Sequence, residues 1–266
     1  MARSVKRLIK TKVLAVNSSP NIRRGGTITI LKHFLRGMEE AGAEVELRHL
    51  AEKDIKPCKG CMSCWLKTPG ECVQRDDMAE IVRLASKADI IVLATPLYVD
   101  GMNAQMKKTV DRLIPLLEPY FEIRDGHCRH VVREGVKRNG KLALVSVCGF
   151  HETDNFDPLE AHMKAISLNL DREYVGAVLR PYAKIFPFLK MKGVDVDSVY
   201  EAVREAGTQL VKKGEIDPRL LDEISRELVT KEELVDGINA KFRQFQKLGP
   251  VMRAGDRLRD LVKPSR

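Results

Sequence analysis

The sequence predicts a doubly wound α/β fold, with a five-stranded parallel sheet and a C-terminal helical extension. Three observations lead there. From residue 12 to about residue 180, short apolar runs alternate with longer segments of helical periodicity. The run Asp89–Thr95 (DIIVLAT) is apolar almost throughout, as a strand covered on both faces requires. Beyond Pro181 the chain turns highly charged and helical, with no strand pattern. The 266 residues, 44% of them hydrophobic, are enough to bury one large or two small cores.

Taken in order, Lys12–Asn17 (KVLAVN) is the first strand and ends in a turn cluster. Thr27–Ala41 follows as a helix, with Ile28, Leu31, Leu35 and Met38 on one face and Gly42 as its stop. Glu44–Leu50 sets Val45, Leu47 and His49 against charged neighbours, the pattern of a half-buried edge strand. After a cysteine-rich interruption, helix resumes over Asp77–Ala88, where Asp76 or Asp77 is placed to cap it. Strand Asp89–Thr95, helix Asn103–Leu117, strand Lys141–Val147 (KLALVSV), helix Pro158–Leu170 and strand Tyr174–Leu179 complete the flavodoxin-like count. Val196–Lys213 and Pro218–Phe245 then read as helices, packing on the sheet or on a second subunit. The expected organisation is a basic segment 1–11, a sheet domain 12–182 with a cysteine-rich insertion 57–76, a helical extension 183–248, and a basic tail 249–266 of flexible composition.

The formal net charge is +9, much of it at the two ends, which suits anionic ligands in general without choosing among them. Aromatic residues make up 5% of the chain and no basic run is interleaved with them, so a nucleic-acid partner is not expected. Apolar runs such as Ile90–Ala94 are too short to span a bilayer, and Met1–Thr11 lacks the apolar stretch of a secretory signal. The expectation is a cytoplasmic protein with no membrane partner.

The first strand runs into Ser18-Ser19-Pro20-Asn21-Ile22-Arg23-Arg24-Gly25-Gly26-Thr27, and then a helix. A phosphate placed here meets free backbone N–H groups and the positive end of the helix dipole. The Ser19 and Thr27 hydroxyls can donate, Gly25 and Gly26 allow close approach, and Arg23 or Arg24 adds charge. Neither the Gly-Lys-Ser/Thr of a nucleotide P-loop nor the Gly-x-Gly-x-x-Gly of a dinucleotide fold is present. An ordinary polar turn with a helix cap is the plainer reading of the same residues.

Two further loops leave the same sheet edge. Thr95-Pro96-Leu97-Tyr98-Val99-Asp100-Gly101-Met102-Asn103 is apolar and aromatic, suited to the face of a flat heteroaromatic ring, with N–H groups near Leu97–Val99 for its polar edge. Ser146-Val147-Cys148-Gly149-Phe150-His151-Glu152 offers close backbone approach at Gly149. His151 is either a ligand contact or a structural histidine. The loop Thr95–Asn103 alone is equally compatible with plain packing under a helix, whereas three loops converging on one edge make a stronger case than any one of them.

Of six cysteines, Cys58, Cys61, Cys64 and Cys72 form the spacing C-x2-C-x2-C-x7-C. Four thiolates so spaced can wrap one centre, a [4Fe–4S] cluster or a zinc ion. They can equally be free thiols near a cofactor or a subunit interface. Cys128 and Cys148 stand alone and are expected to be buried small hydrophobes.

Ser18–Thr27, Pro96–Tyr98 with Ala104-Gln105-Met106-Lys107 and Asp111-Arg112, and Cys148-Gly149 resemble the NADPH-dependent FMN reductase family. Pro57-Cys58-Lys59-Gly60-Cys61-Met62-Ser63-Cys64, with Cys72 and Asp76-Asp77-Met78, is similar to its iron–sulfur flavoprotein branch. The resemblance covers roughly Lys12 to Pro181, and Ala202–Lys241 is similar to the tail of related flavodoxin-like oxidoreductases. It implies an FMN-binding domain over 12–182, with phosphate contacts at Ser19, Asn21, Gly26 and Thr27. Ring contacts are implied at Pro96, Leu97, Tyr98, Val99 and Gly149. The loop departs from the family pattern, with Ser18 for Gly, Asn21 for Arg and Gly26 for Asn. The implied function is an FMN-dependent oxidoreductase of the NAD(P)H-dependent flavin or quinone reductase type, with the chemistry on the flavin and no catalytic side chain. The alternative is an electron carrier with a [4Fe–4S] cluster on Cys58, Cys61, Cys64 and Cys72. A reading of another class is a non-catalytic or zinc-stabilised module. Expected partners are a small-molecule electron acceptor or a redox protein such as ferredoxin, and further copies of the chain in a homodimer or homotetramer.

Overall fold

The computed structural model describes residues 10–247. Most of the basic segment 1–11 and all of the tail 249–266 lie outside the described residues. In chain order the elements are β1 (Lys12–Asn17), α1 (Gly26–Glu40), β2 (Glu44–His49), α2 (Ser63–Leu66), α3 (Met78–Ala85), β3 (Ile90–Tyr98), β4 (Gly101–Met102), α4 (Ala104–Asp111), β5 (Leu117–Arg124), β6 (His127–Val132), β7 (Gly140–Val147), α5 (Asp157–Asn169), β8 (Arg172–Arg180), α6 (Phe186–Met191), α7 (Asp197–Lys213), α8 (Pro218–Ser225) and α9 (Lys231–Lys247).

The main sheet runs β2-β1-β3-β7-β8 and these five strands are parallel, the order of a flavodoxin-like fold. Side chains on successive residues go to opposite layers. Val13, Ala15, Val92, Ala94, Ala143 and Val145 face one core, while Leu14, Val16, Ile91, Leu93, Leu142 and Leu144 face the other. Both layers are apolar, which is why the central strands read as continuous runs. The winding reverses between β1 and β3, so the loops after these strands border a crevice at the carboxyl edge.

On the first face α1 packs against α7. The contact is backbone to backbone: a Cβ on Gly37 would lie 1.8 Å from the Arg204 carbonyl oxygen, and one on Gly207 would lie 2.0 Å from that of Phe34. The Thr208 hydroxyl donates to the Gly37 carbonyl at 3.1 Å. This second contact explains why α1 buries Ile30 and Phe34 in addition to the predicted stripe. Val199, Val203, Ala206 and Leu210 of α7 share one core with the sheet, as do Ile224 of α8 and Leu234 of α9.

Four features differ from the sequence reading. The helix begun at Asn103 ends at Asp111, because Pro115 has no N–H for the Asp111 carbonyl. Residues 117–132 form an antiparallel hairpin turned at Asp125-Gly126, both at positive φ (51° and 76°), as a tight hairpin turn requires. Cys128, expected to be buried, is exposed because it sits on the open face of that hairpin. The long helix read over 218–245 is two helices. Thr230 and Glu233 form a capping box that starts α9, each side chain bonded to the other's backbone N–H at 3.2 and 2.9 Å. Among the described residues no helix is long and apolar enough to cross a membrane.

Candidate functional site

The β1–α1 loop is held from both sides. Ser18 donates its N–H and its hydroxyl to the Ala94 carbonyl at 2.9 and 3.2 Å. The Asn17 side chain accepts from Ser19 N–H at 3.1 Å, and the Asn21 side chain accepts from Arg24 N–H at 3.0 Å. Gly25 is required for closure, since a Cβ there would lie 2.7 Å from the Asn21 carbonyl oxygen. No side chain caps α1 and its first turn carries no acid. The positive end of the helix is therefore free for an anion. Thr27 and Ser19 are buried, Gly26 is half-buried, and Asn21, Arg23 and Arg24 are exposed.

The β3 loop is locked to this one through Asn103, which the sequence places at the end of that loop and the start of a helix. Its side-chain amide donates to the Ser18 carbonyl at 2.7 Å while its oxygen accepts from Met106 N–H at 3.1 Å, capping α4. Its backbone N–H donates to the Thr95 hydroxyl at 3.2 Å, and the Ser146 hydroxyl donates to the Thr95 carbonyl at 2.8 Å. One chain of hydrogen bonds thus joins the ends of β1, β3 and β7. The signal for Asn103 was its position before a helical segment, which marks a cap but not a loop-to-loop tie.

From β3, Pro96 is buried, Leu97 half-buried, and Tyr98 and Val99 exposed. Val99 and Asp100 make a two-residue turn at φ of 50° and 54°, and Tyr98 pairs with Gly101 across it. A β-branched residue at positive φ is strained. Val99 accepts that strain while standing fully exposed at the crevice. Gly149, at the end of β7, is exposed and has no neighbour within 4 Å of where a Cβ would stand.

His151 is buried, with Nε2 2.9 Å from the Val229 carbonyl and its ring stacked on Tyr182 at 5.6 Å. These contacts tie the α8–α9 connection to β7, and His151 also borders the cavity beside it. Arg180, fully buried, donates to the Ile224 and Arg226 carbonyls at 2.8 and 2.6 Å at the end of α8. Between this loop and α9 lies an apolar cavity of about 710 Å3, bordered by Gly149, Phe150, Phe188, Met191 and Phe242. Burial pushes the Cys148 thiol up, away from reactivity.

Cys58, Cys61, Cys64 and Cys72 line one cavity together with Arg112, Ile114 and Pro115. Gly60 N–H donates to Cys58 Sγ at 3.5 Å. The Ser63 hydroxyl and N–H lower the Cys61 thiol, whereas burial, then the neighbouring Cys72, raises that of Cys64. Among the described residues no three Cys, His, Asp or Glu side chains are arranged around one metal ion. The loop is stapled at its base. Gln74 Nε2 donates to the Pro57 carbonyl at 3.0 Å, Asp54 N–H donates to Asp77 Oδ2 at 2.7 Å, and Trp65 Nε1 donates to the Leu117 carbonyl at 2.9 Å.

Residues 11–134 match the family model of the NADPH-dependent FMN reductases. An iron–sulfur flavoprotein of Archaeoglobus fulgidus is 32% identical over 149 residues, 55% of this chain and 74% of that relative. The chain belongs to the NADPH-dependent FMN reductase family, in its iron–sulfur flavoprotein branch. A second iron–sulfur flavoprotein of the same organism is 41% identical over 104 residues, 39% of this chain and 46% of its own length. The chain thus spans about half of that relative. The fold agrees with a solved FMN-dependent NADH-azoreductase of Bacillus anthracis, at a TM-score of 0.57 and 18% identity, over 76% of this chain and 100% of that one. The family match covers the β1 and β3 loops and the four cysteines, and ends before β7.

Proposed function

We propose that this family member is an FMN-dependent oxidoreductase of the NAD(P)H-dependent flavin or quinone reductase type. The observation that carries the reading is the uncapped, acid-free start of α1, set in a crevice with the β3 and β7 loops. Ser19, Asn21, Gly26 and Thr27 are assigned to the phosphate, and Pro96, Leu97, Tyr98, Val99 and Gly149 to the ring. FMN, when bound, supplies the electron-transfer chemistry. The chain's own residues bind and orient. Backbone N–H groups of the first turn of α1 hold the anion, Gly25 keeps the loop closed around it, and Asn103 fixes the distance between phosphate and ring loops. The apolar cavity beside Gly149 supports a flat organic acceptor, with NAD(P)H as the electron source.

A second centre is favoured by the four cysteines that line one cavity. A mononuclear zinc site needs its sulfurs about 2.3 Å from one point. Thiols spread around a cavity suit the cage of a [4Fe–4S] cluster better. On that reading Cys58, Cys61, Cys64 and Cys72 hold the cluster, and a ferredoxin-like protein is an alternative electron partner. The exposed apolar side chains of α6 and α9 support association of chains into a homodimer or homotetramer. Clustered free cysteines support a cytoplasmic setting.

The test is an absorbance spectrum of anaerobically purified protein, with iron and acid-labile sulfide assays and NAD(P)H titration. A flavin spectrum bleached by NAD(P)H is expected. Protein that contains no flavin and takes up none would overturn the reading, and flavin with negligible iron would remove the cluster alone.

A further inference from the structure

Arg112 and Asp76 form an ion pair whose side chains are 1% and 0% exposed. Two parallel bonds of 2.8 and 2.9 Å join Arg112 Nη1 and Nη2 to the carboxylate. Nη1 also donates to the Lys56 carbonyl at 2.7 Å, and the carboxylate accepts from Lys56 and Met78 N–H at 3.0 and 3.2 Å. Every oxygen of the pair is therefore engaged. One nitrogen is not: Arg112 Nε is buried and has no partner. A buried donor left without an acceptor is costly, so such a group calls for an explanation. Arg112 lines the cavity of the four cysteines and Asp76 does not, so the guanidinium stands between the carboxylate and the sulfurs.

We propose that Arg112, positioned by Asp76, tunes the reduction potential of the centre held by Cys58, Cys61, Cys64 and Cys72, with Nε–H as the donor reserved for it. The inference rests on the cluster reading above. Hydrogen bonds to sulfur and net charge near it set the potential of such centres. Reduction adds one electron to the cluster and moves no proton at Arg112, whose guanidinium stays charged in both states. A fixed positive group facing the cavity favours the electron-rich state and raises the potential. The carboxylate behind it pulls the other way from a greater distance. A structural staple would show neither sign.

The test uses anaerobically purified wild type, R112K, R112Q, D76N and the double variant D76N/R112Q. Iron and sulfide are assayed first, then the midpoint is measured by mediated titration with dithionite, followed by electron paramagnetic resonance. R112Q is expected to lower the midpoint by at least a tenfold change in the reduction equilibrium, about 59 mV for one electron. D76N is expected to raise it, R112K to lower it less than R112Q, and the double variant to fall between. The double variant carries no unpaired buried charge, and keeps the test open if R112Q fails to fold. Unmoved midpoints with the cluster at full occupancy would overturn the inference alone, as would loss of the cluster from every variant. Wild-type protein without iron and sulfide would remove the cluster reading, and this inference with it.

Discussion

Thr27 stands at the second position of α1, buried beneath the loop that closes on Gly25. A glutamate there would set a carboxylate against the bound phosphate. At about 4 Å and an effective dielectric of 20, like charges repel by roughly 4 kcal/mol, enough to weaken FMN binding by two to three orders of magnitude. Equilibrium titration of Thr27→Glu with FMN checks this, and unchanged affinity would contradict the loop assignment. Asp76 illustrates a different residue-scale effect. Burial raises its carboxyl, but the Arg112 hydrogen bonds and the Lys56 and Met78 N–H groups outweigh that and hold it below the usual range. A lowered folded value means stability that is present above the unfolded value, about 3.9, and lost as pH falls through the folded one. Asp76→Asn leaves Arg112 unpaired and should cost about 3–5 kcal/mol at neutral pH. Urea unfolding as pH is lowered from 7 should show the gap to wild type closing below about pH 4, and a constant gap would contradict the sign.

At the scale of elements, the α1–α7 crossing depends on two glycines that no stripe of apolar residues announces. Gly207→Ala gains about 1 kcal/mol of helix propensity, yet its Cβ would fall 2.0 Å from a backbone oxygen, so the melting temperature should drop. Gly237→Ala on α9 meets nothing within 4 Å and should rise by the propensity alone. Shifts of the same sign in both would contradict the crossing. β1, β3 and β7 were legible because covered strands are apolar on both faces, and α1 because its stripe is periodic. The β5–β6 hairpin was not read, although Asp125-Gly126 is a hairpin signal, because its strands are mostly exposed and carry little alternation. The break between α8 and α9 was written in Thr230 and Glu233, and was masked by charged helix-forming residues on either side.

At the scale of the molecule, the phosphate loop and the cysteine cavity are built by different segments. One is the β1–α1 loop, braced by Asn103 and Ala94. The other is the insertion after β2, stapled at 54–57 to 74–77 and backed by Arg112. Cys61→Ala should therefore lose iron while keeping flavin, read from metal content and the visible spectrum, and joint loss would show one coupled site. The candidate loops were legible because parallel sheets deliver ligands to their carboxyl edge. The tie through Asn103 was not, because it joins residues 85 positions apart that only the β1–β3 pairing brings together. What the crevice holds is decided most directly by titrating flavin-free protein with FMN and with riboflavin, which differ only in the phosphate. Binding of FMN at least a hundredfold tighter, about 2.7 kcal/mol, is the expected result. Equal affinities would mean that the loop from Asn17 to Thr27 does not hold the phosphate.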